Sequence, residues 1–304
     1  LSVRQARALG ITPSRLRRSD LERPLRGTRW STGTQRTVRN LARAAASLQL
    51  GPAVLSHQTA AILYGIPLPR ALEQDTTLHI TCPSPGRAKR AAGFVGHSRR
   101  LLPHERGSIG EIAVTSPART WCDLAAVLSL PDLVAAGDHL LHGRERPALA
   151  SIDELTAAVA ALPRGSKGAG ALRAALPLLD GGSDSRKESL LRVELHAVGV
   201  TWLLVNPTVR DRRGRRIGRV DLVDELRRAA IEYEGDQHRT DPRQWRKDVE
   251  RHRRLMADGW LLIRVTAADD LRVMAREIAR LLAERGPRLR SSWRRSASSS
   301  RSAP

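Results

Sequence analysis

Aromatic residues are scarce in this sequence: one phenylalanine, two tyrosines and six tryptophans, 3% of 304 residues. Proteins that grip single-stranded nucleic acid stack its bases on exposed rings, so the scarcity argues against such a platform and leaves duplex as the better-matched nucleic acid. Cysteine is scarcer still. Cys82 and Cys122 lack CxxC spacing, which suggests neither a disulfide framework nor a thiolate zinc site and suits reducing conditions. Long apolar runs are missing: nothing reaches the roughly 18 residues that cross a bilayer, and LSVRQARALG lacks the apolar stretch of a secretory signal. The expectation is a cytoplasmic protein with no membrane partner. GxSxG, P-loop and GxGxxG patterns are missing too, which removes several hydrolase and nucleotide-driven classes.

Negative charge is the remaining shortage. The 52 Lys+Arg stand against 31 Asp+Glu, a net charge of +21. A charge of that size favours polyanionic partners over long range, nucleic acid first among them. Nearly all the cations are arginine, which a GC-rich coding sequence also produces, so a solvated basic protein with no nucleic-acid role stays open. The length allows two or three domains with proper cores.

Residues 1–30 hold eight arginines against two acids. Ser2 and Gln5 make a capping box for a first helix closed by Gly10, and Thr12 caps a second with Pro13 at its first position. That second helix, PSRLRRSDL, displays Arg15, Arg17 and Arg18, and LERPLRGTRW follows as a basic hairpin or wing. A basic helix for the major groove with cations beside it for phosphates is what a helix-turn-helix on double-stranded DNA needs. A solvated basic helical hairpin has the same composition.

Between about 40 and 180, TTLHIT and EIAVT read as strands, and SPARTWCDLAAVL, PDLVAAGDHLL and SIDELTAAVAAL as helices, the last capped by Ser151 and Glu154. His139 and His142, three apart on a helix with Asp138, could share a metal, but two histidines on a helical face are more often surface or boundary residues. Gly, Ser and Pro thicken before a boundary near Gly181. Beyond it, Ser185 and Glu188 open a helix ended by Gly199. TWLLVNPTVR, RIGRVDLV and AAIEYE read as three strands. A helix from about Pro242 to Asp258, the buried strand WLLIRV and a helix from about Asp269 complete an α-β-β-β-α-β-α order. Residues 287–304 read as a disordered basic tail able to add phosphate contacts.

In IEYEGDQHR, strand alternation puts Glu232 and Glu234 on one face and Ile231 and Tyr233 on the other. A short turn near Asp224 to Arg227 pairs this strand with the one carrying Asp221 and brings a third acid close. Gathered carboxylates repel unless a cation relieves them, and oxygen donors suit Mg2+ or Mn2+, which activates water and stabilises charge on a phosphodiester. The alternative is rim carboxylates facing arginines such as Arg227 and Arg219.

With these residues and this element order, the stretch from about Ser183 to Leu282 resembles the PD-(D/E)xK restriction-endonuclease-like fold. More narrowly, RVDLV, IEYEGDQHR and RKDVERHRRLMADGWLLIRVT resemble a family of unknown function related to very-short-patch-repair (Vsr-like) endonucleases. The resemblance implies that Asp221 is the central metal-binding carboxylate and Glu232 the second acid. It matches Glu188 to the first-helix acid, although a capping box explains that residue equally well, and His238 to a histidine that orients or deprotonates water. A loop histidine bonded to Asp236 or Asp241 is the other reading of His238. Asp248 and Arg251 match a D-x-x-R that supports the site or simply pairs internally. Glu234 stands where the motif lysine belongs, so Lys247 or Arg251 would have to supply the cation, or the domain binds DNA and cleaves nothing.

The N-terminal portion, through LSVRQARALGITPSRLRR, VLSHQTAAILYGIPLP and VTSPARTWCDLAAVL, resembles AbiEi-type antitoxins of type IV toxin-antitoxin systems, which implies promoter binding and a cognate toxin as partner. The expected fold is α/β multidomain: a short winged-helix-like N-terminus (1–40), an α/β middle domain (41–180), a restriction-endonuclease-like αβββαβ core (181–286) and the tail. The expected activity is metal-dependent endonucleolytic cleavage of DNA, in defence or toxin-antitoxin biology, or else repression by an antitoxin whose nuclease-like domain is inactive.

Overall fold

The computed structural model describes residues 1–86, 91–144, 146–234 and 242–287, with backbone alone for 242–245. The fold is mixed α/β, divided into two compact units, Leu1–Gly181 and Gly182–Pro304. Among the described residues no helix is long and apolar enough to cross a membrane.

Unit one runs through α1 (Val3–Ala8), β1 (Leu21–Glu22), β2 (Trp30–Ser31), α2 (Val38–Ala46), β3 (Val54–Leu55), α3 (His57–Tyr64) and α4 (Arg70–Gln74). It continues with β4 (Leu78–Pro83), β5 (Phe94–Arg99), β6 (Arg106–Ile109), β7 (Ile112–Thr115), α5 (Pro117–Leu124), α6 (Leu130–Leu141), α7 (Ile152–Ala160) and α8 (Ala169–Ala175). Residues 1–40 and 41–180 fall within this single unit.

Local chemistry starts the helices. Ser2 with Gln5, and Ser151 with Glu154, satisfy each other's backbone N–H groups as complete capping boxes, removing donors that the first helical turn leaves unpaired. PSRLRRSDL departs from expectation: it forms one 3-10 turn, Arg15–Arg17, in place of a helix. Leu16 is its one buried residue and Arg18 is already extended, so no apolar stripe rewards a longer helix. The chain passes directly into an antiparallel β1–β2 pair, Leu21 opposite Ser31 and Glu22 opposite Trp30.

The main sheet of this unit has the order β5-β4-β3-β7-β6. Pairs β4–β5 and β3–β7 are parallel, while β3–β4 and β6–β7 are antiparallel. Leu55, Ala60, Leu63 and Val114 pack where α3 meets this sheet. Trp121 on α5 is fully buried and donates its indole N–H to the Leu133 carbonyl at 2.8 Å, so its large apolar body is buried without an orphaned donor.

Unit two contains α9 (Arg186–Ala197), β8 (Leu204–Val205), β9 (Thr208–Arg210), β10 (Arg216–Arg219), β11 (Leu222–Asp224), β12 (Ala229–Glu234), α10 (Pro242–Ala257), β13 (Leu261–Thr266) and α11 (Leu271–Arg285). The sheet order is β13-β12-β11-β8, with β9 and β10 as a separate hairpin. Strand β12 runs parallel to β13, and β11 antiparallel to both β12 and β8. Strand alternation divides the core in two. Leu222, Ile231 and Val265 pack with Leu191 and Leu195 of α9 and Ile278 and Leu282 of α11. Val223 and Ala230 pack with Leu255 of α10, Trp260 and the hairpin residues Val209 and Ile217.

Two expected strands are interrupted. TWLLVNPTVR breaks at Asn206, which has φ of 51°, and at Pro207, which has no N–H to donate to a ladder. RIGRVDLV breaks at Val220 and Asp221. The two breaks lie side by side: Asn206 donates its N–H to the Asp221 carbonyl at 2.7 Å, and Val220 donates to Pro207 at 3.3 Å. The hairpin can thus leave the sheet without stranding these backbone groups.

Candidate functional site

Asp221 occupies the bend between β10 and β11, which corrects its expected place on a strand. Its Oδ2 accepts the backbone N–H of Tyr233 at 2.7 Å, tying the bend to β12. Glu188 enters from the first turn of α9. The Ser185 hydroxyl accepts the Glu188 N–H at 3.2 Å, but the expected reciprocal bond is not the role of the carboxylate. Glu188 Oε2 instead accepts from the Asp184 N–H at 3.0 Å and from the Asn206 amide at 2.7 Å. Both Glu188 and Glu232 are buried, and burial of a charged carboxylate is tolerated when donors or cations replace its water.

Glu232 has both. Its Oε1 accepts from the Arg251 guanidinium, and its Oε2 lies 2.7 Å from His252 Nε2. Arg251 also donates to the Arg219 carbonyl at 2.5 Å and approaches Asp248 Oδ1 at 3.3 Å. The D-x-x-R pair therefore forms internally and also reaches the buried acid. Glu234 follows the expected alternation but pairs with Arg264 on neighbouring β13. Lys247 is exposed on α10. His238, with Asp236 and Asp241, lies outside the described residues, as do residues 288–304 of the basic tail.

Asp221 carries the electrostatic signature of the group. Burial pushes its carboxyl up, Glu188 pushes it further, the Tyr233 N–H and Arg251 pull it back and Glu232 adds to the rise, leaving it at about 7. Glu188 and Glu232 thus act on Asp221 as neighbouring like charges. Near neutral pH this carboxyl is poised between its two protonation states, as a group able to exchange a proton for a cation is. The arginines suggested from sequence serve elsewhere: Arg227 pairs with Asp224 at 3.0 Å, and Arg219 with Asp184. Among the described residues, the guanidinium that bonds Glu232 is that of Arg251.

At the N-terminus, Arg15 grips Asp20 through two bonds of 3.0 and 2.8 Å, while Arg17 and Arg18 are exposed. Asp138 on α6 accepts the Asp180 N–H at 2.7 Å. Among the described residues, the ligand atoms that all fall within 4.8 Å of one another belong to His57, His79 and His97, neither to His139 and His142 nor to the carboxylates. Sequence reading missed those three histidines because they are far apart in the chain. The available signal was a histidine in each of two strand-like stretches, LHITCP and FVGHSR.

No family model matches the chain. Two uncharacterized proteins of Mycobacterium tuberculosis, from strains CDC 1551 / Oshkosh and ATCC 25618 / H37Rv, are each 30% identical to it over 232 residues, covering 76% of this chain and 80% of the relative.

Proposed function

We propose that this chain, which belongs to the same family as the two Mycobacterium tuberculosis proteins, is a DNA-binding protein whose second unit is a Mg2+- or Mn2+-dependent phosphodiesterase of the restriction-endonuclease-like, Vsr-related kind. The observation that carries this reading is Asp221, a carboxyl raised to about 7 beside two further buried acids. The donor set fits a hard divalent ion, since it offers carboxylate oxygens under mutual repulsion that such an ion relieves. Asp221 and Glu232 would hold the ion, with Glu188 at the same centre. When bound, the ion supplies Lewis acidity and an activated water. The chain's own contribution is orientation and charge: the Tyr233 N–H fixes the Asp221 carboxylate, and Arg251 brings a cation to an acidic centre that a phosphate would otherwise avoid. The α9, β11–β12, α10, β13 succession supports the fold assignment. Exposed Arg17 and Arg18 ahead of the β1–β2 hairpin support a winged-helix-like, AbiEi-related DNA contact.

Supercoiled and linear duplex incubated with Mn2+ should be nicked by the wild type, with loss of at least about 100-fold in rate for Asp221→Ala and Glu232→Ala. Equal cleavage by all three proteins removes the site.

One observation favours a second reading, an antitoxin or repressor with an inactive nuclease-like unit. Both oxygens of Glu232 are already paired, with Arg251 and His252, and Glu234 is paired with Arg264, so Glu232 is satisfied without an ion. Under this reading the triple change Arg15→Ala, Arg17→Ala and Arg18→Ala weakens duplex binding and flattens its salt dependence, while no protein cleaves. Unchanged binding removes the N-terminal DNA contact from both readings.

A further inference from the structure

A second concentration of ligating groups lies in unit one, independent of the carboxylate centre. His57 is the first residue of α3, separated from β3 by Ser56; His79 is on β4 and His97 on β5. The parallel pairing of β4 with β5 sets Thr81 beside His97. Because residues two apart on a strand share a face, His79 and His97 emerge on the same side of the sheet. His79 Nδ1 lies 3.0 Å from His97 Nε2. The His57 ring stacks on His97 with centroids 3.6 Å apart and an interplanar angle of 14°, and one nitrogen from each of the three rings lies within 4.8 Å of the others.

The surroundings direct these rings. His57 Nδ1 is 3.0 Å from the Ser56 hydroxyl, which also accepts from Thr81 at 2.8 Å. On the same side, 3.8 Å from Nδ1, is Asp123 Oδ2. Asp123 has a side chain only 2% exposed. Its Oδ1 is held by Arg119 at 2.8 Å and Arg99 at 3.0 Å, whereas its Oδ2 has no hydrogen-bond partner among the described residues. A serine and a buried carboxylate oxygen facing one nitrogen of a histidine leave its other nitrogen, Nε2, for a ligand, the outer-shell arrangement that metal-binding imidazoles use. His57 also holds φ at 51°, in the left-handed region. That conformation is costly for a residue with a side chain and persists where the surroundings impose it.

The protonation state suits the same role. Burial first, then the two neighbouring histidines, pushes His57 down to about 2; burial first, then His97, pushes His79 to about 4; burial lowers His97 as well. The imidazoles therefore keep their lone pairs at neutral pH, as metal ligation requires. The rings are only partly buried, so an ion can reach them from solvent.

We propose that His57, His79 and His97 form a binding site for one divalent transition-metal ion of the zinc class, with Ser56 and Asp123 orienting His57 from behind. Three nitrogen donors favour Zn2+ and its neighbours over Mg2+. Ligands about 2.0–2.1 Å from a tetrahedral zinc stand roughly 3.4 Å from one another, so rotation of the stacked rings about their side-chain torsions closes the site without moving the strands. Three protein ligands leave a fourth position for water, the open form of such a centre.

The test uses the full chain, stripped by a chelator and titrated with Zn2+ and separately with Co2+ as a spectroscopic probe. The wild type and an Asp221→Asn variant should each bind one equivalent with micromolar or tighter affinity, which separates this site from the carboxylate centre. His79→Gln and His97→Gln should weaken binding at least about 100-fold, Ser56→Ala about 10-fold, and His104→Gln, at an exposed histidine between β5 and β6, not at all. Circular dichroism checks that each variant is folded. On the wild type alone, Zn2+ should shift the imidazole NMR signals of three histidines, two of them the signals that His79→Gln and His97→Gln remove. No bound equivalent in the wild type, or unchanged affinity in a folded His79→Gln or His97→Gln, overturns the proposal. Loss of binding in Asp221→Asn alone overturns it too, by placing the ion in the other unit.

Discussion

The two units gather opposite kinds of titratable group. Unit one brings three imidazoles together, and burial strips them of charge, lowering His57 to about 2 and His79 to about 4. Unit two brings carboxyls together, and burial, with Glu188 beside it, raises Asp221 to about 7. One physical cause, desolvation reinforced by like neighbours, thus yields bases that stay neutral in one unit and an acid poised between its two protonation states near neutral pH in the other. The difference teaches that a strongly basic chain does not have to answer buried charge with salt bridges alone. Asp123 and Glu232 are each paired with arginine; Asp221, which accepts a backbone N–H, is raised by burial and Glu188 against the pull of Arg251.

The sharpest way to separate the units is through their cores. Trp121→Ala should cost unit one about 3–5 kcal/mol, and Leu195→Ala should cost unit two about 2–5 kcal/mol. Cys82 and Cys122 are both buried in unit one, so thiol labelling under rising denaturant reports that unit alone. Trp121→Ala should lower the labelling midpoint and Leu195→Ala should leave it in place; equal shifts would mean that the units unfold together.

Next in size is the buried ion pair of unit one. Arg119 and Asp123 are 3% and 2% exposed, and Arg119→Ala should destabilise by about 3–5 kcal/mol because it leaves a buried carboxylate poorly compensated. Arg251→Ala, beside a Glu232 that keeps His252, should cost less when urea unfolding of both variants is followed by circular dichroism. The reverse ranking would break the view that pairing matters more in the first unit.

Acidity should move the units in opposite directions, by about 1–2 kcal/mol each for side chains that keep some solvent access. Unfolded histidines take protons near 6.5 whereas folded His79 resists to about 4, so this stability is present above pH 6.5 and is lost as pH falls from there toward 4. Asp221 has the opposite sign: the unfolded carboxyl ionises near 3.8 and the folded one at about 7, so its contribution is present below pH 4 and is lost as pH rises toward and through 7. His79→Gln should flatten the profile of unit one, read by thiol labelling midpoints. Asp221→Asn should flatten that of unit two, read by limited proteolysis; parallel slopes in the two units would refute the comparison. Smallest is the cap. Ser151→Ala, which dismantles a reciprocal box, should cost about 1 kcal/mol by thermal denaturation, and Ser185→Ala, whose partner Glu188 bonds elsewhere, somewhat less.

Much of this was legible locally. Ser2, Ser151 and Ser185 announce their helices because a cap is a contact over three residues. Gly259, with φ of 83°, closes α10 where the sequence suggests. Strand alternation predicted that Glu232 and Glu234 share a face. The failures are equally physical. PSRLRRSDL has caps but no stripe, and packing rather than capping decides whether so short a helix exists. The break at Asp221 is bonded to the one at Asn206 and Pro207, between β8 and β9, so no pattern within RIGRVDLV could reveal it.

By itself, then, the sequence determined where most helices begin, the mixed α/β class, the excess of positive charge and the presence of acids in AAIEYE, since each depends on neighbours within a few positions. Only the tertiary structure decided that Asp221 meets Glu188 and Glu232, that Arg251 and His252 claim Glu232, and that His57, His79 and His97 come together. Those arrangements depend on strand pairing and on desolvation, which exist only once distant segments have closed over one another.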